Sequence, residues 1–125
     1  MANPVGWFEI YVNNIERARM FYQTVLGIHL ERLADPVDSE ITMFCFPSEQ
    51  TLYGATGALV QMSGMAGGGS STVVYFSCDN CAEQQGRVQT AGGRVIRPKF
   101  AIGEHGFIAL IEDSEGNMVG LHSMQ

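Results

Sequence analysis

The first residue that stands out chemically is Glu9, an acid in the middle of a short apolar run from Phe8 to Val12. Burying a carboxylate is costly unless a hydrogen-bonding or charged partner accompanies it. A carboxylate in a cleft can act as a general base, and such groups often mark functional sites. The alternative is a structural Glu9 that is hydrogen-bonded to a tyrosine or a histidine. We favour the functional interpretation and predict that Glu9 is catalytic.

Two further residues of the predicted catalytic set are His122, near the chain end, and Tyr75, in a later apolar run. His122 is suited to be a general base or a metal ligand, and it could equally be a neutral histidine of the core. Tyr75 could orient a substrate oxygen or act as a weak acid, or it could pack with its hydroxyl group satisfied. Without a metal, Glu9 would be the base, and His122 or Tyr75 would stabilise the developing oxyanion.

A second set of residues is predicted to bind the substrate: Trp7, Tyr11, Gln61 and His105. The aromatic members would line a cleft. His105 lies in a loop that precedes a strand, so it could contact a ligand or be an ordinary surface histidine.

The cysteines offer a possible redox motif, because Cys78 and Cys81 form a CxxC at the start of a predicted helix. A helix N-terminus there would lower the pKa of the Cys81 thiol. No second CxxC completes a zinc site, and Cys78 belongs to the helix-facing side of its strand. We therefore favour a structural role for both cysteines.

Composition narrows the classes of partner. A chain of 125 residues with 46% hydrophobic residues is long enough for one domain with its own core. A net charge of −6 argues against partners with phosphate backbones or acidic membrane surfaces. No apolar run approaches the roughly 20 residues of a membrane span, and the N-terminus does not resemble a signal peptide. We expect a cytoplasmic protein that binds a small molecule and neither nucleic acid nor membrane.

The elements that must position these residues repeat along the chain at a constant spacing of 66 positions. Three pairs keep this spacing: Glu9 and Tyr75, Asn14 and Asn80, Gly27 and Gly93. Each half is predicted to be a strand, a helix and three more strands, with the second helix ending near Ala91 although Gly86 weakens it. We predict a single domain over residues 1–125, with module 1 at about 5–63, a Gly/Ser linker at about 64–71 and module 2 at about 72–125.

Short motifs accompany these tandem βαβββ modules. Phe21-Tyr22 and Leu26-Gly27 close the first helix, and the turn from Glu112 to Asn117 leads into the last strand. In order and spacing the chain resembles the vicinal oxygen chelate superfamily from about Trp7 to Met124. That superfamily includes glyoxalase I, bleomycin-resistance proteins, extradiol dioxygenases and methylmalonyl-CoA epimerase.

The resemblance implies an α+β fold in which two tandem βαβββ modules form a cupped, incomplete eight-stranded mixed β-barrel flanked by helices. It also implies an active site on the concave face, often with a divalent metal. An incomplete barrel leaves sheet edges exposed, so we expect a homodimer that covers them.

Strand alternation predicts that Phe8, Ile10 and Val12 face the helix, so that Trp7, Glu9 and Tyr11 face the cup. In the metal-dependent members that the chain resembles, the ligands come from the first and last strands of each module. The matching positions in this sequence are Trp7, Val73, Ala58 and Gly120. None has a metal-binding side chain, so the resemblance implies that the standard metal site is replaced.

A relocated metal site is one alternative, formed by Glu9, His122 and a third donor such as Gln61 or Tyr75. If Ala58-Leu59 in module 1 corresponds to Gly120-Leu121 in module 2, the residue that corresponds to His122 is Val60. If the correspondence is shifted by one residue, it is Gln61. Glu9 and His122 alone are too few ligands for a metal site, because good sites have three or more protein ligands. The cofactor therefore stays open, with a divalent metal as one possibility.

Two functions are consistent with this sequence. The first is a glyoxalase-like lyase or isomerase that acts on a small carbonyl-type metabolite in the cup. The second is a non-catalytic, small-molecule-binding dimer similar to the bleomycin-resistance proteins, with aromatic walls that hold a flat apolar or cationic compound. The net charge of −6 would attract cations. We favour the first function.

Overall fold

The computed structural model describes residues 3–34, 40–68 and 71–125. The chain divides into two compact units, Trp7–Thr72 and Val73–Gln125 with Met1–Gly6, which we call the first and second modules. The first contains most of β1 (Val5–Tyr11), then α1 (Ile15–Leu26), β2 (Glu31–Leu33), β3 (Thr42–Cys45) and β4 (Thr56–Gln61). The second contains all but the first residue of β5 (Thr72–Ser77), then α2 (Cys81–Gln85), β6 (Arg94–Ala101), β7 (Phe107–Glu112) and β8 (Met118–Ser123).

Both modules have the predicted βαβββ order. The strands follow the order β2-β3-β4-β1 in the first module and β5-β8-β7-β6 in the second. In each module the first and last strands are parallel and the other pairs are antiparallel. The predicted α+β class with mixed sheets is therefore confirmed. No helix in the described ranges is long and apolar enough to cross a membrane.

The core of the first module lies between α1 and one face of its strands. Ile15, Leu30 and Leu59 are buried there, and Ile10 and Val12 pack against them. The Asn14 side chain accepts a hydrogen bond from the Arg17 N–H at the start of α1, and Gly27 ends the helix at φ 65°. The strand face predicted to contact the helix is thus the observed one.

The strand pairing of the first module settles which residues share the opposite face. Glu9 pairs with Ala58, and Ala58 pairs with Cys45, which in turn pairs with Glu31. We call these four residues the Glu9 row. Tyr11 pairs with Val60. Val60, rather than Gln61, therefore lies on the face that carries Glu9. The one-residue shift that would have placed Gln61 on this face does not occur.

The second module repeats this plan with a shorter helix. Cys81, Ala109 and Leu121 form its buried core, against which Phe76 and Cys78 pack. The prediction that α2 reaches Ala91 is wrong, because the helix ends at Gln85 and turns follow it. Glycine at position 86 costs about 1 kcal/mol relative to alanine inside a helix, and the chain leaves the helix there.

The segment predicted as a linker is only partly described, because residues 69 and 70 lie outside the described ranges. Gly64 lies in a tight turn in which the Met65 N–H donates to the Met62 carbonyl. The Gly67 N–H donates to the Asn13 side chain, and the Tyr11 N–H donates to the Ser71 carbonyl. The described part of this segment is therefore fastened to the first module.

Candidate functional site

Three of the predicted site residues meet on the face of β1 that points away from α1. Glu9 is only 9% exposed, and its carboxylate lies between two aromatic residues. The Trp7 Nε1–H donates to Oε2 at 3.1 Å, and the Tyr11 hydroxyl donates to Oε1 at 2.8 Å. A spacing of two residues on a strand places all three side chains on one face. We call Trp7, Glu9 and Tyr11 the Glu9 cluster.

Cys45 is a neighbour of this cluster that the sequence pattern did not indicate. Burial raises the pKa of its thiol, and the negative charges of Glu9 and Glu31 raise that pKa further. The thiol is therefore a protonated group and a poor nucleophile near neutral pH. Sequence reasoning could have placed Cys45 beside Glu9 only from the pairing of β3 with β4. The residue pattern of a single strand does not reveal which strand pairs with it.

Gln61 is the last residue of β4, and its side-chain Oε1 accepts a hydrogen bond of 2.7 Å from the Ile15 N–H at the start of α1. Ser123 does the same in the second module, where its hydroxyl oxygen accepts from the Cys81 N–H at 3.0 Å. Ile15 and Cys81 are the first residues of their helices. Gln61 thus has a structural partner at a helix N-terminus.

Gln61 also lines a pocket of about 660 Å³ in the first module, beside Asn13, Thr42 and the turn from Met62 to Met65. Thr42 pairs with Gln61. Both therefore lie on the helix side of the sheet, away from Glu9. The predicted contact between Gln61 and a substrate stays a prediction.

His122 and His105 are brought together in the second module, through the main chain of His105. The His122 Nε2 lies 2.6 Å from the His105 carbonyl oxygen. His122 is half-buried and pairs with Ser77 of β5, whereas the His105 side chain is exposed, with its Nε2 3.9 Å from Glu104 Oε1. What His105 contributes to this contact is a backbone acceptor.

Tyr75 is buried, with 5% of its surface exposed, and it pairs with Gly120. A Cβ atom on Gly120 would lie 2.2 Å from Cδ1 of the Tyr75 ring. The ring therefore occupies the space that any side chain at position 120 would need. This packing role agrees with the structural alternative for Tyr75, and its catalytic role stays a prediction.

The positions that correspond to metal ligands in the resemblance do not fit a metal ion. Trp7 offers an N–H donor, Val73 and Ala58 are apolar and buried, and Gly120 is covered by Tyr75. Divalent metals need several converging N, O or S donor atoms, which these side chains lack. Across the described part of the chain, no three His, Cys, Asp or Glu residues are grouped to hold a metal.

Cys78 and Cys81 have the features of structural residues. Both are free thiols. Burial raises the pKa of the Cys78 thiol, and the neighbouring Cys81 raises it further. Cys81 is fully buried in the core of the second module. A protonated Cys78 thiol beside a fully buried Cys81 does not make a reactive pair.

The sequence matches the family model of the Glyoxalase/Bleomycin resistance protein/Dioxygenase superfamily over residues 5–121. The chain therefore belongs to this superfamily, as its resemblance implied. No curated protein matches the chain.

Several solved structures share the fold at low sequence identity. Streptomyces coelicolor methylmalonyl-CoA epimerase in complex with 2-nitronate-propionyl-CoA is 12% identical over 98% of both chains, with a TM-score of 0.68. A hypothetical protein from Bacillus halodurans is 12% identical over 100% of this chain and 96% of its own, with a TM-score of 0.74. Mycobacterium tuberculosis methylmalonyl-CoA epimerase is 13% identical over 98% and 88%, with a TM-score of 0.66.

Proposed function

We propose that this chain is a glyoxalase-like protein that acts on a small carbonyl-type metabolite, with Glu9 as the proton-transferring base. The observation that carries the proposal is the Glu9 cluster, in which a buried carboxylate is held by Trp7 and Tyr11 on the sheet face opposite the helix. The family match supports a glyoxalase-like protein. Because the side chains at the standard ligand positions do not fit a metal, the proposal assigns the proton transfer to the chain's own residues.

The chemistry that follows is removal of a proton next to a carbonyl group. A Glu9 oxygen would form a bond to the hydrogen, and the electrons of the broken C–H bond would move into the carbonyl group to give an enolate. Return of the proton to either face or to a neighbouring atom gives an isomerase or lyase outcome. The hydrogen bonds from Trp7 and Tyr11 fix the carboxylate before the substrate arrives, which lowers the cost of orienting it. In the second module, His122 is proposed as a further proton-transfer group, and the Tyr75 hydroxyl as a hydrogen-bond donor to an oxyanion.

The ligand of one similar structure suggests a class of substrate to test first. That structure is described as methylmalonyl-CoA epimerase in complex with methylmalonyl-CoA. That compound has an acidic proton next to a thioester carbonyl, as the proposed chemistry requires. We therefore propose acyl thioesters and small ketoaldehydes as the first compounds to test.

The test is exchange of substrate hydrogen in deuterium oxide, followed by proton NMR, with methylmalonyl-CoA and methylglyoxal as probes. We expect enzyme-dependent exchange with one probe, reduced about 10²-fold or more in Glu9→Gln. Glu31→Gln is the matched control, because Glu31 is an exposed acid in the same row. Equal exchange by wild type and Glu9→Gln would contradict the proposal.

A second candidate is sequestration of a flat cation without chemistry. The two carboxylates of the Glu9 row both raise the pKa of the Cys45 thiol, so this face carries a negative potential. Aromatic residues beside carboxylates suit a flat cation. Calorimetry with proflavine, a flat aromatic cation, tests this candidate against acridine, its uncharged parent, at mildly alkaline pH. Binding of both compounds with equal affinity would argue against it.

A homodimer stays part of both proposals. Large apolar side chains on α1 are exposed, among them Phe21, Val25 and Leu26. Exposed apolar surface of this kind often marks a protein interface. Light scattering at micromolar concentration tests the proposal, and a stable monomer there would contradict it.

A further inference from the structure

One contact in the second module determines which nitrogen of His122 is available for chemistry. The His122 Nε2 and the His105 carbonyl oxygen are 2.6 Å apart. A carbonyl oxygen only accepts hydrogen bonds, so Nε2 must carry the hydrogen. A neutral imidazole has a single ring N–H, and its other nitrogen has a free lone pair. We propose that His122 transfers protons through Nδ1, and that the main-chain carbonyl of His105 is the group that positions it.

The backbone on both sides of this contact is anchored. The carbonyl of His122 accepts a 2.8 Å hydrogen bond from the Cys78 N–H. On the other side, a short 3₁₀ turn (Gly103–His105) ends at Gly106, whose φ is 97°. The Gly106 carbonyl accepts a 2.9 Å hydrogen bond from the Ile102 N–H and closes this loop. The acceptor for His122 is therefore held by the loop backbone and does not depend on the His105 side chain.

Gly106 is the residue on which the position of that carbonyl most depends. Its positive φ is a conformation that side-chain-bearing residues rarely adopt. A Cβ atom there would also lie 2.4 Å from the Ser123 carbonyl oxygen. Any substitution at Gly106 must therefore move the loop, and with it the acceptor of His122.

The chemical consequence is a base with a fixed direction. A ligand O–H or C–H would give its proton to Nδ1 and keep the electron pair of the broken bond. The imidazolium that forms still donates its Nε2–H to the carbonyl, whose negative end faces the new positive charge. The proton returns from Nδ1 when the reaction reverses or finishes. An acceptor on the far nitrogen of a catalytic imidazole commonly sets its tautomer in this way.

This inference rests on the proposed function, in which His122 handles protons, but its test needs no substrate. Two-bond hydrogen–nitrogen NMR spectra of nitrogen-15-labelled protein, at a pH where the ring is neutral, report the tautomer directly. We expect His122 to be almost entirely the Nε2–H tautomer. His29 is exposed and serves as the internal reference for a ring that exchanges freely between tautomers. A His122 spectrum with the same mixture as His29, or with the hydrogen on Nδ1, would overturn the proposal.

Two variants separate the carbonyl from the side chain of His105. His105→Ala keeps the main-chain acceptor, so we expect the His122 spectrum to be unchanged. Gly106→Ala displaces the acceptor, so we expect its spectrum to move toward that of His29. A change in His105→Ala as large as that in Gly106→Ala would refute the role of the carbonyl. If Gly106→Ala does not fold, the wild-type tautomer and His105→Ala still decide the question.

The NMR spectra test the positioning of His122, and the hydrogen-exchange assay tests the proposed function, so each can be rejected without the other. A fixed Nε2–H tautomer without any hydrogen exchange would leave the positioning intact and reject the proposed function. Hydrogen exchange together with a mixture of His122 tautomers would support the proposed function and reject the positioning. With an active substrate, His122→Gln retains an amide donor for the carbonyl but has no Nδ1 base. We expect it to lower kcat by about 10²-fold with little change in KM.

Discussion

Replacing Gly120 with alanine should destabilise the second module through one identifiable side chain. The new Cβ atom would lie 2.2 Å from Cδ1 and 2.3 Å from Cε1 of Tyr75, far inside van der Waals contact. The Tyr75 ring is 5% exposed and has little room to move away. Overpacking of this kind costs about 1–3 kcal/mol, which for a chain of this length lowers Tm by roughly 4 °C per kcal/mol.

The assay is thermal and urea unfolding of Gly120→Ala in two backgrounds, wild type and Tyr75→Val. Since the three nearest atoms all belong to the Tyr75 ring, Tyr75→Val should remove most of the cost, with a coupling energy of about 1 kcal/mol or more. Gly57 provides a matched control, because its Cβ atom would lie 2.1 Å from the backbone oxygen of Phe8. Phe8→Val removes the ring atoms that would lie 2.8 Å from this Cβ atom but keeps the nearer backbone oxygen, so it should fail to rescue Gly57→Ala.

Two results would refute this reasoning. Gly120→Ala could leave stability unchanged, or it could cost the same with and without the Tyr75 ring. The first result would mean that position 120 has room for a side chain, and the second that something other than the Tyr75 ring makes the substitution costly. The Tyr75 ring would then not be the reason why this position lacks a metal-binding side chain.

Two further predictions follow from helix starts and from thiol chemistry. Gln61→Ala and Ser123→Ala each remove the acceptor at a helix N-terminus, so each should lower the free energy of unfolding by about 1 kcal/mol in urea, and an unchanged midpoint would contradict this. Cys45 should react slowly with iodoacetamide at neutral pH because its raised pKa lowers the thiolate fraction. Glu9→Gln removes one cause of that raised pKa, so it should speed the reaction of Cys45 but not that of Cys78. Equal effects on both thiols would contradict the electrostatic effect of Glu9 on Cys45.

The repeat, the fold class and the face that carries Glu9 could be predicted from sequence because they depend on local periodicity. Alternation along β1 is enough to separate Glu9 from Ile10, and a constant spacing of 66 positions relates Glu9 to Tyr75. The two hydrogen bonds to Glu9 also come from residues two positions away on the same strand. The centre of the candidate site is therefore encoded in a short stretch of sequence.

The parts that sequence reasoning missed depend on pairing between distant strands. Cys45 reaches the neighbourhood of Glu9 only through β3 and β4, and Gln61 caps a helix 46 positions earlier in the chain. The sequence pointed to the side chain of His105, whereas its carbonyl is what contacts His122. Main-chain acceptors have no residue type, so no sequence pattern identifies them.

The central claim is that ligands bind at the Glu9 cluster, and Trp7 allows a direct test because it is the only tryptophan of the chain. The measurement is Trp7 fluorescence during titration with methylmalonyl-CoA, methylglyoxal and proflavine, with calorimetry as an independent record of binding. We predict a saturable change with one of these compounds, and an affinity about tenfold weaker in Glu9→Gln, equivalent to about 1.4 kcal/mol, with no comparable loss in Glu31→Gln. Binding that calorimetry detects but that leaves Trp7 emission unchanged, with equal affinity in Glu9→Gln, would contradict the account.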